Sequence, residues 1–306
     1  MLRYALRRLV TSVVTLILVI LLTFFLMQAV PGGPFLGDNV SPEVTEKLLE
    51  KYGYDQPVLV QFKNYMVNLL QGDMGESMVT KAGEPVTNVI ASYFPVSCKL
   101  GLIALALAVF LGIPLGLLAA VKHNSIFDRC FIFIASLFVS VPSFIMATVS
   151  MLVCGVWLAV LPVAYLESWK SYILPVFSMA IYPMCNIGRL TRTTMLDVVG
   201  QDYIMTAQAK GLSSPKLYIK HALRNALIPV VTSLGPMIAG ILTGSFTIEK
   251  VFAINGIGKY FISSINARDY TLIMGTTIFF GAILIACNYV VDLLYGVIDP
   301  RIKMDK

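Results

Sequence analysis

A succession of long uncharged runs limits this chain more than any other feature. Leu9 to Ala29, Leu100 to Val121, Ile132 to Val160, Tyr172 to Ile187 and Pro229 to Ile248 hold no Asp, Glu, Lys or Arg. A sixth run, Leu272 to Leu294, holds only Asp292. A helix needs about 20 mostly apolar residues to cross roughly 30 Å of hydrocarbon. Inside lipid, each backbone polar group must also be paired within its own segment. The expected fold is therefore an all-α polytopic membrane protein with about six transmembrane helices. Only 13% of the residues are charged, and the mean hydropathy is +0.80. Surface of that kind needs lipid, not water. The third run is long enough to tilt, and Pro142 is expected to kink it by removing one backbone hydrogen bond.

Arg3, Arg7 and Arg8 ahead of the first run resemble the start of a secretory signal. The run is longer than a signal's apolar core, and no A-x-A site follows at Met27-Gln28-Ala29, so it reads as an uncleaved first helix. The net charge of +6 invites a nucleic-acid reading, but the basic residues sit beside the spans and argue for membrane lipid, with no nucleic acid. One set of connections (1–8, 122–129, 189–228, 295–306) carries 14 Lys/Arg in 68 residues. The other (30–99, 161–171, 249–271) carries 9 in 104. Positively charged loops stay inside, so both termini are expected in the cytoplasm. Residues 30–99 then form an extracytoplasmic polar subdomain between the first span, in 1–29, and a core of about five spans over 100–306 (100–121, 132–160, 172–187, 229–248 and 272–294). Two amphipathic helices are expected in it, from Ser41-Pro42-Glu43 to Tyr52 and from Gln56 to Leu70. The subdomain is either a connector or a lid or docking surface.

The chemistry of an enzyme is missing from the motifs. There is no HExxH, no GxSxG and no pair of carboxylates within the spans. Cys98, Cys130, Cys154, Cys185 and Cys287 form no CxxC, and no metal site is expected. His123 and His221 read as surface residues. Gly112 with Gly116 and Gly240 with Gly244 each form GxxxG, a signature of close helix approach in lipid. Asp292 is either a proton-coupling group or the partner of Arg301 or Lys303 at a helix end. A solute pore needs broken or kinked helices where a cavity is lined. Pro142, Ser143, Pro183, Asn186, Ser233, Gly235 and Pro236 are the residues that either line such a pore or serve as packing kinks.

The 40-residue connection 189–228 is too long for a simple turn. Asp202 suits an N-cap, Tyr203 to Lys210 a short helix, and Gly211 the left-handed position after it. Ser214-Pro215 suits an N-cap followed by proline at the first helical position. In the second helix Ile219, Ala222, Leu223 and Ala226 are expected on one face, and Lys216, Lys220 and Arg224 on another. The small residues Ala207 and Ala209 allow a helix, glycine turn, helix unit to plug a groove on another protein. The same lysines and Arg224 also suit contact with lipid phosphate.

The stretch from Thr206-Ala-Gln-Ala-Lys-Gly211 through His221-Ala-Leu-Arg-Asn-Ala-Leu-Ile-Pro229 resembles the EAA loop of ABC-importer permeases. Leu6-Arg-Arg-Leu9, Pro31-Gly-Gly-Pro34, Asp55-Gln-Pro57, Gly72-Asp-Met-Gly75, Glu249-Lys-Val-Phe252 and Arg268-Asp-Tyr270 extend the likeness nearly end to end. It is specifically the first membrane subunit of the dipeptide/oligopeptide/nickel permease family that the chain resembles. Two positions depart from the pattern: Thr206 stands where the EAA glutamate is usual, and Asn255-Gly256 where Pro-Gly is usual.

The resemblance implies a pore-forming subunit of a solute importer in a bacterial or archaeal inner membrane, working by alternating access. It implies a homologous second permease subunit, two cytoplasmic ATPase subunits and an extracytoplasmic substrate-binding protein. It places ATPase coupling on Tyr203, Thr206, Ala207, Lys210, Gly211, His221, Arg224 and Asn225. ATP-Mg is expected on the partners and no cofactor on this chain, which has no GxxxxGK[ST] loop. Peptides lead as substrate, with nickel complexes or glutathione also open. A self-sufficient secondary transporter or channel is the alternative reading.

Overall fold

A computed structural model describes residues 2–30, 42–242 and 246–298. Pro31 to Pro34, Asp38, Gly244, Arg301 and Lys303 lie outside the described residues, as does the side chain of Asp292. Nearly everything described is helical, and no strand forms among the described residues beyond one isolated bridge between Glu76 and Pro85. Five helices are long and apolar enough to cross a membrane, or six if one bent pair counts as a single span. The chain divides into two compact units, one of Leu2–Ser97 with Asn255–Ile285, the other of Cys98–Ile254 with Ala286–Lys306.

In the first unit, α1 (Leu2–Ala29) is followed by α2 (Pro42–Lys51) and α3 (Val58–Leu70), close to the two amphipathic helices expected there. Ile20 and Phe24 of α1 bury against Met274 and Ile278, with Phe62, Tyr65 and Leu69 of α3 covering them. The unit also holds the start of α4 (Val86–Val121), all of α12 (Ile257–Ala267) and the first part of α13 (Tyr270–Ile298). Asp269, fully buried, ties it together. Its carboxylate accepts the Ser77 hydroxyl at 2.5 Å and the backbone N–H groups of Met78, Val79 and Thr80 at 3.0, 3.1 and 2.9 Å. Those bonds hold a loop to the start of α13, where Asp269 also caps the Leu272 N–H at 3.2 Å. Burial first, and then the charges of Tyr270 and Asp269, push the nearby Tyr54 phenol up.

The second unit is built around α7 (Ile173–Val199), of which thirteen residues are buried. Helix α4 begins fourteen residues before the expected Leu100. Its Gly112 and Gly116 lie on α7. A Cβ at Gly112 would sit 2.7 Å from the Met184 carbonyl oxygen, and one at Gly116 would meet the Gly188 carbonyl and lie 2.8 Å from Thr191 Cβ. Here the GxxxG pair does what it does in lipid, admitting a second backbone. Of the second pair only Gly240 is described, and a Cβ on it would meet no atom of the described residues within 4 Å.

The third run breaks outright. Ser125 caps α5 (Ile126–Ser140), accepting the Asp128 N–H at 3.2 Å. Proline pushes the residue before it out of the helical region. Val141 is extended (φ −89°, ψ 124°), and the helix restarts as α6 (Ser143–Ser150), leading into a π-helical turn Met151–Trp157, at 102° to α5. The expected kink at Pro142 is thus a break, and helix ends at Trp157 rather than Val160.

Candidate functional site

The connection after α7 is more helical than its sequence suggests. Nothing stops α7 at Ile187, and it runs to Val199. Helix α8 covers Asp202–Ala209, with Gln201 in the capping position and Asp202 inside the first turn. The expected cap is therefore displaced by one residue, and Asp202 instead complements the positive helix end. Lys210 follows, and Gly211 adopts φ +79°. The Gly211 N–H bonds to the Gln208 carbonyl at 2.9 Å and the Leu212 N–H to the Ala207 carbonyl at 3.4 Å. That pair of bonds is a Schellman closure, which needs the left-handed residue that glycine adopts without penalty.

The next helix is likewise displaced by one. Ser213 is the cap, Pro215 follows in the first turn of α9 (Ser214–Lys216), a π-helical stretch covers Leu217–Ala222, and α10 is Leu223–Leu242. Residues 214–241 are one continuous helix, not a loop helix followed by a separate span from Pro229. The fifth span was expected to reach Ile248, but Ile248 lies on the separate α11 (Phe246–Val251). The π-helical stretch also rotates the expected face. Leu217, Ala222 and Ala226 are buried with Met195 and Ile204, whereas Ile219 is 60% exposed. Each π turn takes one extra residue, so a face read at 3.6 residues per turn falls out of step across it.

Tyr203, His221, Arg224 and Asn225 come together. They line one cleft of about 710 Å³ with Lys220 and Ile228, and the Asn225 amide donates to the Tyr203 hydroxyl at 2.7 Å. Thr206, Lys210 and Gly211 lie apart from it, exposed on α8 and its cap, while Ala207 is half-buried against the Met195 and Ile204 cluster. The Thr206 hydroxyl bonds back to the Asp202 carbonyl at 2.9 Å.

A second cavity, of about 920 Å³, opens beside the break in the third run. Pro142, Ser143, Pro183, Asn186, Ser233 and Pro236 all line it, from α6 and the residue before it, α7 and α10, whereas Gly235 packs instead against α13, where a Cβ would lie 2.9 Å from the Val291 side chain. Tyr182, Met237 and Thr247, not singled out from sequence, join them, as does Gly240, expected only as a helix-packing glycine. Tyr182 was in principle legible, since Met179, Tyr182, Pro183 and Asn186 recur at one-face helical spacing.

One charged cluster escaped the sequence altogether. Asp128 is buried and accepts Arg192 Nε at 2.6 Å and Nη2 at 2.8 Å, together with the Asn124 N–H at 2.9 Å. His123 Nδ1 lies 3.2 Å from Arg192 Nη2. This two-bond clamp fixes the turn between α4 and α5 to α7, two turns before α7 gives way to α8. Among the described residues no group of three or more His, Cys, Asp or Glu is placed to hold a metal ion.

The chain is 45% identical to the dipeptide transport system permease protein DppB of Bacillus subtilis, over 100% of this chain and 99% of that protein. It is 38% identical to the oligopeptide transport system permease protein OppB of Escherichia coli, over 99% of this chain and 100% of that one. A solved inward-facing structure of the MetNI methionine ABC transporter shares the fold, with a TM-score of 0.55 at 14% identity, over 71% of this chain and 99% of that chain. Residues 1–100 match the N-terminal family of binding-protein-dependent transport system membrane components. Residues 112–304 match the binding-protein-dependent transport system inner membrane component family. With that match and its set of membrane-length helices, the chain belongs to this family of transport-system inner membrane components, as a multi-pass inner-membrane protein.

Proposed function

We propose that this permease subunit forms half of the path by which short peptides enter the cell, moved by separate ATPase subunits. The observation that carries the reading is the convergence of Pro142, Ser143, Pro183, Asn186, Ser233 and Pro236 on one cavity. The non-helical backbone of a broken helix is tolerated in a membrane only where it is buried in protein or lines a water-filled cavity. The homologous second subunit supplies the other wall, and an extracytoplasmic binding protein delivers the peptide. Both termini and the α8–α9 segment lie on the cytoplasmic side, in keeping with the excess of Lys and Arg there. ATP-Mg stays on the ATPases, and α8 with its Gly211 cap docks into them through Tyr203, Thr206, Ala207, Lys210, His221, Arg224 and Asn225. Coupling requires that the ATPases hold this segment differently in their two states.

The test is reconstitution. The chain with its sister permease, two ATPases and the binding protein should accumulate labelled dipeptide in proteoliposomes only when ATP is supplied. The chain alone should accumulate none under a proton gradient. Uptake by the chain alone would make it a secondary transporter and overturn the proposal.

A further inference from the structure

The connection from Trp157 to Tyr172, between the π-helical turn and α7, is apolar where a connection in water is polar: Glu167 and Lys170 are its only charged residues. It is also fixed in place. The N–H groups of Val160 and Leu161 both bond to the Cys154 carbonyl, at 3.0 and 3.3 Å, and the segment folds back onto Gly155, where a Cβ would run into the Val163 side chain. The Tyr165 N–H reaches the Phe252 carbonyl at 3.1 Å, and Ser168 and Ser171 close a capping box ahead of α7. What this fixed backbone turns outward is apolar. Trp157 and Trp169, both of the chain's tryptophans, are 76% and 73% exposed, and Leu158, Val160 and Tyr165 are exposed as well. Ala159 and Tyr165 hold left-handed backbone, at φ +52° and +58°. That conformation costs an L-residue energy, and strain of this kind gathers where a segment has a contact to make. Along the chain the exposed apolar surface continues into Leu152 and Val156 before the segment and Ile173 and Phe177 after it, the last two on a helix long and apolar enough to cross a membrane.

Tryptophan and tyrosine gather where a span meets the lipid headgroups, because the ring is apolar and its N–H or O–H is not. Lysine joins them by laying an apolar stem along the surface and its ammonium toward phosphate. Here Lys170 Nζ lies 5.9 Å from the Trp169 ring, and Lys99 Nζ donates to the Tyr172 hydroxyl at 3.2 Å. Lysine is depleted from protein–protein interfaces, so this mixture suits phosphate better than a second protein. We infer that the segment 157–172 is an anchor in the bilayer interface. Its partner is the phospholipid headgroup layer, which takes the indoles of Trp157 and Trp169 and the phenol of Tyr165, with Lys99 and Lys170 beside phosphate. The anchor holds the start of α7 at the membrane surface, at the end opposite α8.

The experiment uses the complete importer in proteoliposomes whose phospholipid carries bromine, which quenches indole fluorescence on contact, either close to the headgroup or close to the chain ends. Subtracting the emission of the Trp157→Phe/Trp169→Phe importer from that of the wild type leaves the light of these two indoles alone. Bromine close to the headgroup should quench that difference by about twofold or more, and bromine at the chain ends much less, as rings at the interface require. Saturating extracytoplasmic binding protein should leave it unchanged. Should the double variant fail to assemble, each single Phe variant gives one indole's share. Difference emission that neither lipid quenches, as when the sister permease covers the segment, overturns the inference. Emission that the binding protein shifts overturns it too, because the segment is then a protein-docking surface. Stronger quenching by the deep bromine also overturns it, by placing the indoles among the acyl chains.

Discussion

Two faces of α7 meet opposite surroundings. One lies against α4 at Gly112 and Gly116, so closely that neither glycine has room for a Cβ, and at its far end Arg192 is clamped to buried Asp128. The other face turns Tyr182 and Asn186 to a cavity of about 920 Å³, which Gly240 also lines and where a Cβ on Gly240 would meet no atom of the described residues within 4 Å. Gly112 and Gly240 each open a GxxxG. The motif therefore says that a backbone can be approached, and the surroundings decide whether anything approaches it. A closed face gives a rigid frame; an open one gives room for something to pass.

The contrast breaks most severely at the closed face. Asp128→Ala leaves a guanidinium without its partner, and breaking a buried pair costs about 3–5 kcal/mol. The variant should lose most of its thermal stability in detergent. Gly116→Leu forces side-chain atoms into the Gly188 backbone and should cost about 3 kcal/mol by overpacking, read as a lowered melting transition. At the segment that follows α7, Gly211→Val places a β-branched residue at φ +79°. Left-handed backbone costs an L-residue about 1–2 kcal/mol, and a Cβ there meets no atom of the described residues within 4 Å. The fold should survive while ATP hydrolysis continues with little peptide uptake. The smallest effect is at the open face, where Gly240→Ala should stabilise the chain by roughly 0.5–1 kcal/mol through helix propensity alone.

The spans were legible because apolar length is dictated by the bilayer, and Gly211 because a short helix ending in glycine leaves few conformations. Six of the seven residues expected at a pore meet in one cavity, since proline and small polar residues inside apolar runs are costly unless a cavity is lined, while Gly235 packs against Val291. What stayed hidden depends on register or distance. Ser125, Asp128 and Arg192 join only once α7 is seen to continue beyond Ile187. The π-helical stretch at Leu217–Ala222 displaced Ile219 from its expected face. Asp269 gathers donors from residues some 190 positions away in sequence, and no local pattern announces that. Pro142 was noticed, but a kink and a break of 102° have the same local sequence.

The most direct test of the open face as a passage is ATP-driven peptide uptake by the reconstituted importer carrying Gly240→Trp. The new side chain starts from a Cβ position with no atom of the described residues within 4 Å, so the subunit should still co-purify with its sister permease and ATPases. Uptake should fall to background at normal assembly. Uptake at the wild-type rate, with assembly equally normal, would contradict the account.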